Sequence, residues 1–261
     1  MLQLVIDIGN TRTKLGLFKG RALQERHRWN EWRMEDLIGY GRQAGAGRVL
    51  VSSVATPDPT ILEQLSKHFT AFELNHLTPL PFKNAYQTPN TLGKDRLAAV
   101  AGAQTLFPGV ACTVIDCGTC IKYEWLTADG VYEGGNIAPG AKMRLQAMHH
   151  FTARLPEAPM QLPDAVVGYS TETALQIGAL YGAVLEMAGF VRTFYAVAEK
   201  KSSIAHTQAL LQTVLTGGDA PFFLPHLQIL LEDQLPDKGA VRLIGEPDLT
   251  LYGLNHILLN L

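Results

Sequence analysis

One pattern occurs twice in this chain. LVIDIGNTRTKLGLF at residues 4–18 and TVIDCGTCIKYEW at residues 113–125 each run from an apolar stretch into a carboxylate, cross a glycine corner, and turn apolar again. The shared frame is V-I-D-x-G followed by Asn or Thr. A supersecondary unit that recurs restricts the fold strongly, because two halves built alike must each close a core of their own. Each copy reads as strand, corner, strand. Asp7 and Asp116 stand at the ends of apolar strands, where an unpaired carboxylate costs several kcal/mol of desolvation, so each needs a hydrogen bond, an ion pair or a metal. Both corners are therefore candidate sites.

The rest of the chain alternates strands with helices. RVLVSSV (48–54) reads as a strand, and Asn30 is placed to cap a helix through NEWRMEDLIGYGRQ. A second helix is expected in DPTILEQLSKHF. The segment 78–96, with Pro79, Pro81 and Pro89, reads as a long functional loop ending at a helix, DRLAAVAGAQTLF. Further helices are expected at about 141–151 and 171–199. In the latter, Gly178 and Gly182 share a face where another backbone could approach closely. LLQTVLTGGDAPFF reads as strand, glycine turn and helix. The expectation is an α/β protein of two related halves, residues 1–111 and 112–261, with mixed sheets flanked by helices.

Composition narrows the function. With 22 Lys and Arg against 24 Asp and Glu, no net positive field draws the chain to nucleic acid or acidic lipid. Small solutes are the expected partners. The first 20 residues do not read as a secretion signal, and no uninterrupted apolar run reaches membrane-spanning length, so a soluble cytoplasmic protein is expected. Cys112, Cys117 and Cys120 are an odd set without a second pair, which argues against a disulfide framework or a zinc site.

A strand-turn-strand corner with Gly and a hydroxyl or amide suits phosphate, since backbone N–H groups at tight turns point toward anions. The carboxylate would hold Mg²⁺ or its waters rather than touch phosphate. The alternative is a pair of hairpins whose Asp and Asn only satisfy turns. Gly93-Lys94-Asp95-Arg96 is equally double. Asp95 is either a helix N-cap or a base for a substrate hydroxyl, and Arg96 either lies on a solvated face or grips a substrate carboxylate in two places. Thr216-Gly217-Gly218-Asp219 is a weak nucleotide signal, since plain strand-to-helix turns look the same.

Together these segments resemble the type III pantothenate kinases, within the superfamily of actin-like ATPases and sugar kinases. The resemblance rests on DIGNTRTK (7–14), VSSV (51–54), GKDR (93–96), DCGT (116–119), GGNIAPG (134–140), TARLP (152–156), GYSTETA (168–174) and TGGDA (216–220), in that order along nearly the whole chain. It implies two ribonuclease-H-like domains and a homodimer that makes 4'-phosphopantothenate from pantothenate and ATP, the first step toward coenzyme A. By the same resemblance, ATP phosphates meet Asp7, Ile8, Gly9, Asn10, Thr11, Arg12, Thr13, Lys14 and Thr119. Pantothenate meets Tyr86, Gly93, Lys94, Asp95, Arg96 and Thr171, with Asp95 as proton acceptor. Mg²⁺ is required, and Asp116 is the ligand of a monovalent cation, K⁺ or NH₄⁺. The chain departs from the family pattern at Lys94, where Ala is usual, and at Cys120 and Lys122, where Ala and Thr are usual. Lys122 either supplies internally the charge a bound K⁺ would bring or is a solvated surface lysine. Alternative functions are a non-catalytic or regulatory nucleotide-binding relative on this scaffold, and a kinase for another small alcohol.

Overall fold

The computed structural model describes residues 2–10, 12–54, 60–201, 211–234 and 241–261. The chain divides into two compact units. The first holds the described residues up to Gly109, with Gly130–Glu133 and Asp248–Leu261, and the second holds Val110–Asp129 and the described residues from Gly134 to Pro247.

In the first unit, Leu2–Ile8 (β1), Thr13–Lys19 (β2), Ala22–Trp29 (β3), Ala46–Ser53 (β4) and Thr70–Glu73 (β5) form a sheet in the order β3-β2-β1-β4-β5. β1 runs antiparallel to β2 and parallel to β4. Alternation along β1 sends Leu4, Ile6 and Ile8 into one core layer with Leu37, Val49, Val51 and Leu65. Each such fully buried side chain contributes about 1.5–3 kcal/mol. The helices over that layer are Met34–Gln43 (α1) and Ile61–Ser66 (α2). The unit also holds a two-residue strand, Lys83–Asn84 (β6), and the helix Lys94–Leu106 (α3).

The second unit repeats this arrangement. Ala111–Cys117 (β7), Cys120–Leu126 (β8), Val131–Pro139 (β9), Leu211–Thr216 (β10) and Val241–Gly245 (β11) follow the order β9-β8-β7-β10-β11, again with the first hairpin antiparallel and the later strands parallel. β6 pairs with Val131 and Tyr132, the opening residues of β9 that cluster with the first unit. The core lies between this sheet and the helices Ala141–His150 (α4), Thr171–Gln176 (α5), Gly182–Lys201 (α6) and Ala220–Gln234 (α7), with Ile115, Tyr123, Leu180, Val184, Leu215 and Phe223 at its centre. The last helix, Leu249–Leu259 (α8), belongs to the first unit.

Several expectations need correction. A single cut after residue 111 leaves α8 on the wrong side: it packs on α3, and a Cβ on Gly253 would run into the carbonyl of Ala98, while one on Gly102 would strike Leu249. Among the described residues the close approach expected at Gly178 and Gly182 is not made, since nothing lies within 4 Å of a Cβ at either. Gly178 instead sits in a π-helical turn, Ile177–Tyr181, between α5 and α6. Asn30 is not a cap. α1 begins four residues later, where the Asp36 carboxylate accepts the Arg33 N–H at 2.7 Å. β3 escaped notice because its outer positions are polar and exposed. The start of the helix expected from Asp58 lies outside the described residues. Segment 78–96 is not one loop, for it carries β6, a 3₁₀ turn at Pro89–Thr91 and the start of α3. Finally, Thr171–Ala198 is long and apolar enough to cross a membrane although Glu186 and Arg192 interrupt its apolar run, yet 56% of its apolar window is buried and it forms part of the second core.

Candidate active site

Asp7 owes its burial to α8. By alternation it faces away from Leu4, Ile6 and Ile8, on the side of the sheet that α8 covers, and only 8% of it is exposed. From α8, the Thr250 hydroxyl donates to Asp7 Oδ2 at 2.9 Å. Across the hairpin Asp7 stands opposite Lys14, and on its other side opposite Ser52 of β4. The corner is closed by the Gly9 N–H donating to Arg12 C=O at 3.1 Å. That N–H is therefore committed to the turn, and a phosphate would be met by the other groups of the corner, including the exposed Asn10 and Arg12. Ile8 contributes backbone alone, since its side chain lies in the core. Thr13 is buried, and its hydroxyl accepts Trp32 Nε1–H at 2.7 Å. Thr11 lies outside the described residues.

The second cluster of the first unit gathers around the start of α3. Gly93 is the N-cap and Asp95 is the second helical residue, so Asp95 is not the cap of the plain structural reading. Its Oδ1 accepts the Arg96 N–H at 2.9 Å, and a Cβ on Gly93 would press within 2.5 Å of that oxygen. The glycine thus makes room for the carboxylate. A negative charge in a first helical turn is also favoured by the helix dipole. Arg96 is 5% exposed, with its guanidinium 5.3 Å from the centroid of Tyr86. Tyr86 stacks in turn on the buried Tyr132, at 6.2 Å and 15°. Lys94 points elsewhere, to Glu73 at 2.8 Å. Tyr86, Asp95 and Arg96 are brought together, while Lys94 is engaged by a carboxylate of the scaffold.

In the second unit, Asp116 faces Lys122 across the β7–β8 hairpin, and Nζ lies 2.6 Å from Oδ2. The glycine N–H again closes the corner, from Gly118 to Cys120 C=O at 3.1 Å, and Thr119 is exposed. Residues 216–219 join this corner. Thr216 pairs with Asp116 in the parallel β10–β7 register, and the Asp219 N–H donates to Cys117 C=O at 2.9 Å. Gly217, at φ +94°, is where that turn closes on Cys117. Burial pushes the Asp219 carboxyl up, and Lys142 partly offsets this. In the sequence the strand-Gly-Gly-Asp-helix order of this turn is a weak signal, and strand pairing is what brings it to the Asp116 corner. Burial above all, with Asp116 and Asp219, pushes the Cys117 thiol up, which favours its protonated form. Among the described residues no three His, Cys, Asp or Glu side chains gather as a metal cage. Thr171 is exposed as the first residue of α5, whose N-cap Ser170 accepts the Thr173 N–H.

Two like sheets, each opening on a carboxylate corner, define a class. Solved structures agree on the fold. A protein from Listeria monocytogenes assigned as an N-acetylmannosamine kinase superposes with a TM-score of 0.52 at 12% identity, over 100% of this chain and 99% of that one. A protein from Campylobacter jejuni assigned to the Baf family of transcriptional activators gives 0.60 at 20% identity, covering 98% of each. The fold is that of the actin-like ATPases and sugar kinases. Within that class the chain belongs to the type III pantothenate kinase family, whose profile matches residues 3–193. Type III pantothenate kinases of Phocaeicola vulgatus and Christiangramia forsetii are 38% and 35% identical to it, each over 98% of both chains.

Proposed function

We infer that this chain transfers the γ-phosphoryl group of ATP to pantothenate, giving 4'-phosphopantothenate in the first step of coenzyme A biosynthesis, with the Asp95 cluster as the acceptor site. The observation that carries the assignment of residues is the union of a half-buried carboxylate and a buried guanidinium lying over an aromatic ring, both within one helical turn. Arg96 binds the planar carboxylate of pantothenate in two places, and Tyr86 holds the guanidinium flat for it. Asp95, one residue away and held by the Arg96 N–H, accepts the proton of the primary hydroxyl. In-line phosphoryl transfer needs chiefly positioning and charge neutralisation. The corner at Asp7–Lys14 meets the ATP phosphates.

A single buried carboxylate without a surrounding acidic cage suits Mg²⁺, which keeps its waters and leans on substrate phosphates. Asp7 would hold it, directly or through water, and the ion when bound neutralises the triphosphate. Thr250 keeps Asp7 oriented for that role. We place the protein in the cytoplasm as a homodimer, with neither nucleic acid nor membrane as partner. A near-neutral charge balance supports the part about nucleic acid, and the incorporation of the long apolar helix into a core supports the part about membrane.

Purified protein with ATP and Mg²⁺ is expected to release ADP only when pantothenate is present. Asp95→Asn should lower turnover by about 10²–10⁴ while the circular dichroism spectrum is unchanged. An Asn variant within a few-fold of wild type would make Asp95 a helix-end residue alone.

A further inference from the structure

Asp116 is the residue that the family resemblance makes a ligand for a free K⁺ or NH₄⁺, and its surroundings do not fit that ion. Oδ2 lies 2.6 Å from Lys122 Nζ, with the two side chains only 15% and 17% exposed. Such a distance is that of a short charge-assisted hydrogen bond. Oδ1 is walled in by the turn after β10, where a Cβ on Gly217 would come within 2.5 Å of it. One carboxylate oxygen thus meets an ammonium and the other a backbone turn.

A second cation would have to displace the first or join it. Joining is opposed by repulsion, about 4 kcal/mol for two unit charges 4 Å apart at an effective dielectric constant near 20. Displacement is opposed by geometry. Lys122 stands directly opposite Asp116 in the hairpin register, so its ammonium is delivered by the fold and competes without loss of translational freedom. Lysine also matches the ion chemically, because its head group is an alkylated NH₄⁺.

We propose that Lys122 is a built-in monovalent cation: its ammonium takes the place beside Asp116, and phosphoryl transfer in this protein needs no free K⁺ or NH₄⁺. The proposal rests on the kinase reading of the Asp116–Thr119 corner. The fixed charge raises the local potential at that corner in every salt, whereas a free ion would do so only when bound.

The experiment measures ADP formation with ATP, Mg²⁺ and pantothenate in NaCl, KCl, NH₄Cl and choline chloride at equal ionic strength, and thermal melting in the same salts. Wild-type turnover should vary less than about twofold, and its melting temperature should not follow the cation. Lys122→Thr should be slow in Na⁺ and choline, recover in K⁺ or NH₄⁺, and melt higher in those two salts. Wild type activated more than about tenfold by K⁺ would overturn the proposal, as would a folded Lys122→Thr indifferent to the cation in both rate and melting. If Lys122→Thr does not fold, Lys122→Met keeps the stem's bulk, and the wild-type salt series decides by itself. Absence of ADP in every salt would instead sink the kinase reading, while the melting series still reports on the cation.

Discussion

The two corners share a sequence frame and a strand order, yet different side chains are brought to their carboxylates. Asp7 receives a neutral hydroxyl from a helix that arrives at the end of the chain. Asp116 receives an ammonium from its own hairpin. The two carboxylates thus hold like places in their sheets and differ in the side chains the fold brings to them.

Between the two corners, the larger effect should come from removing the charge at the first. Asp7→Asn retains an acceptor for Thr250 but loses the anchor for Mg²⁺, and turnover should fall by about 10²–10³ with pantothenate binding intact by calorimetry. Pantothenate binding lost together with turnover would mean that Asp7 serves the fold. Next is Gly253→Val. The contact it disrupts holds α8, which carries Thr250, against α3, so a loss of about 1–3 kcal/mol in denaturant unfolding should accompany weaker Mg²⁺ dependence. A variant as stable as wild type would show that α3 and α8 are not packed this tightly.

Asp116→Asn tests the other side, by leaving the Lys122 ammonium without its carboxylate. The pair is partly exposed, so the cost should stay below the 3–5 kcal/mol of a fully buried broken pair. The double variant Asp116→Asn/Lys122→Thr should regain some of it, and a strictly additive loss would deny the coupling. Thr250→Val should cost about 1.5–3 kcal/mol, as befits a lost hydrogen bond to a charged group, and raise the Mg²⁺ concentration needed for half-maximal rate. An unchanged Mg²⁺ requirement would remove Thr250 from the site.

The smallest effect is a pH dependence seated on α8. Burial, with Arg21 contributing, lowers the His256 pKa from 6.5, and its Nδ1 meets the Thr105 hydroxyl. The unfolded chain then binds this proton more readily than the folded one. The His256 contribution is complete above about pH 6.5 and is lost as pH falls through the lower folded value. His256→Gln should flatten the melting profile in that acid range, and an unaltered slope would assign it to other groups.

Much of the first hairpin could be read directly. Period, glycine and carboxylate are local, and β1, β2, β7 and β8 follow from them within a few residues. The helix containing Asp95 was legible as well, but not whether the carboxylate caps it. That distinction depends on Gly93 taking the N-cap position, a one-residue shift that lies within the ordinary ambiguity of helix ends. Gly178 and Gly182 looked like packing glycines because spacing is visible, while Gly102 and Gly253 do that work because their helices meet from distant parts of the chain. α8 itself was overlooked, being apolar on nearly every side and so lacking the amphipathic period that announces a helix.

The sequence by itself determined the α/β class, the duplicated strand-corner-strand units and the family, since these depend on periodicities and short motifs held within a few neighbouring residues. Only the tertiary structure decided which side chains meet each carboxylate. Whether a buried carboxylate faces a hydroxyl or an ammonium depends on which side chains the sheet register and a returning helix deliver within 3 Å, and those partners stand anywhere from six to 243 residues away. Electrostatic energy in a partly desolvated site is set by such short distances and not by chain order.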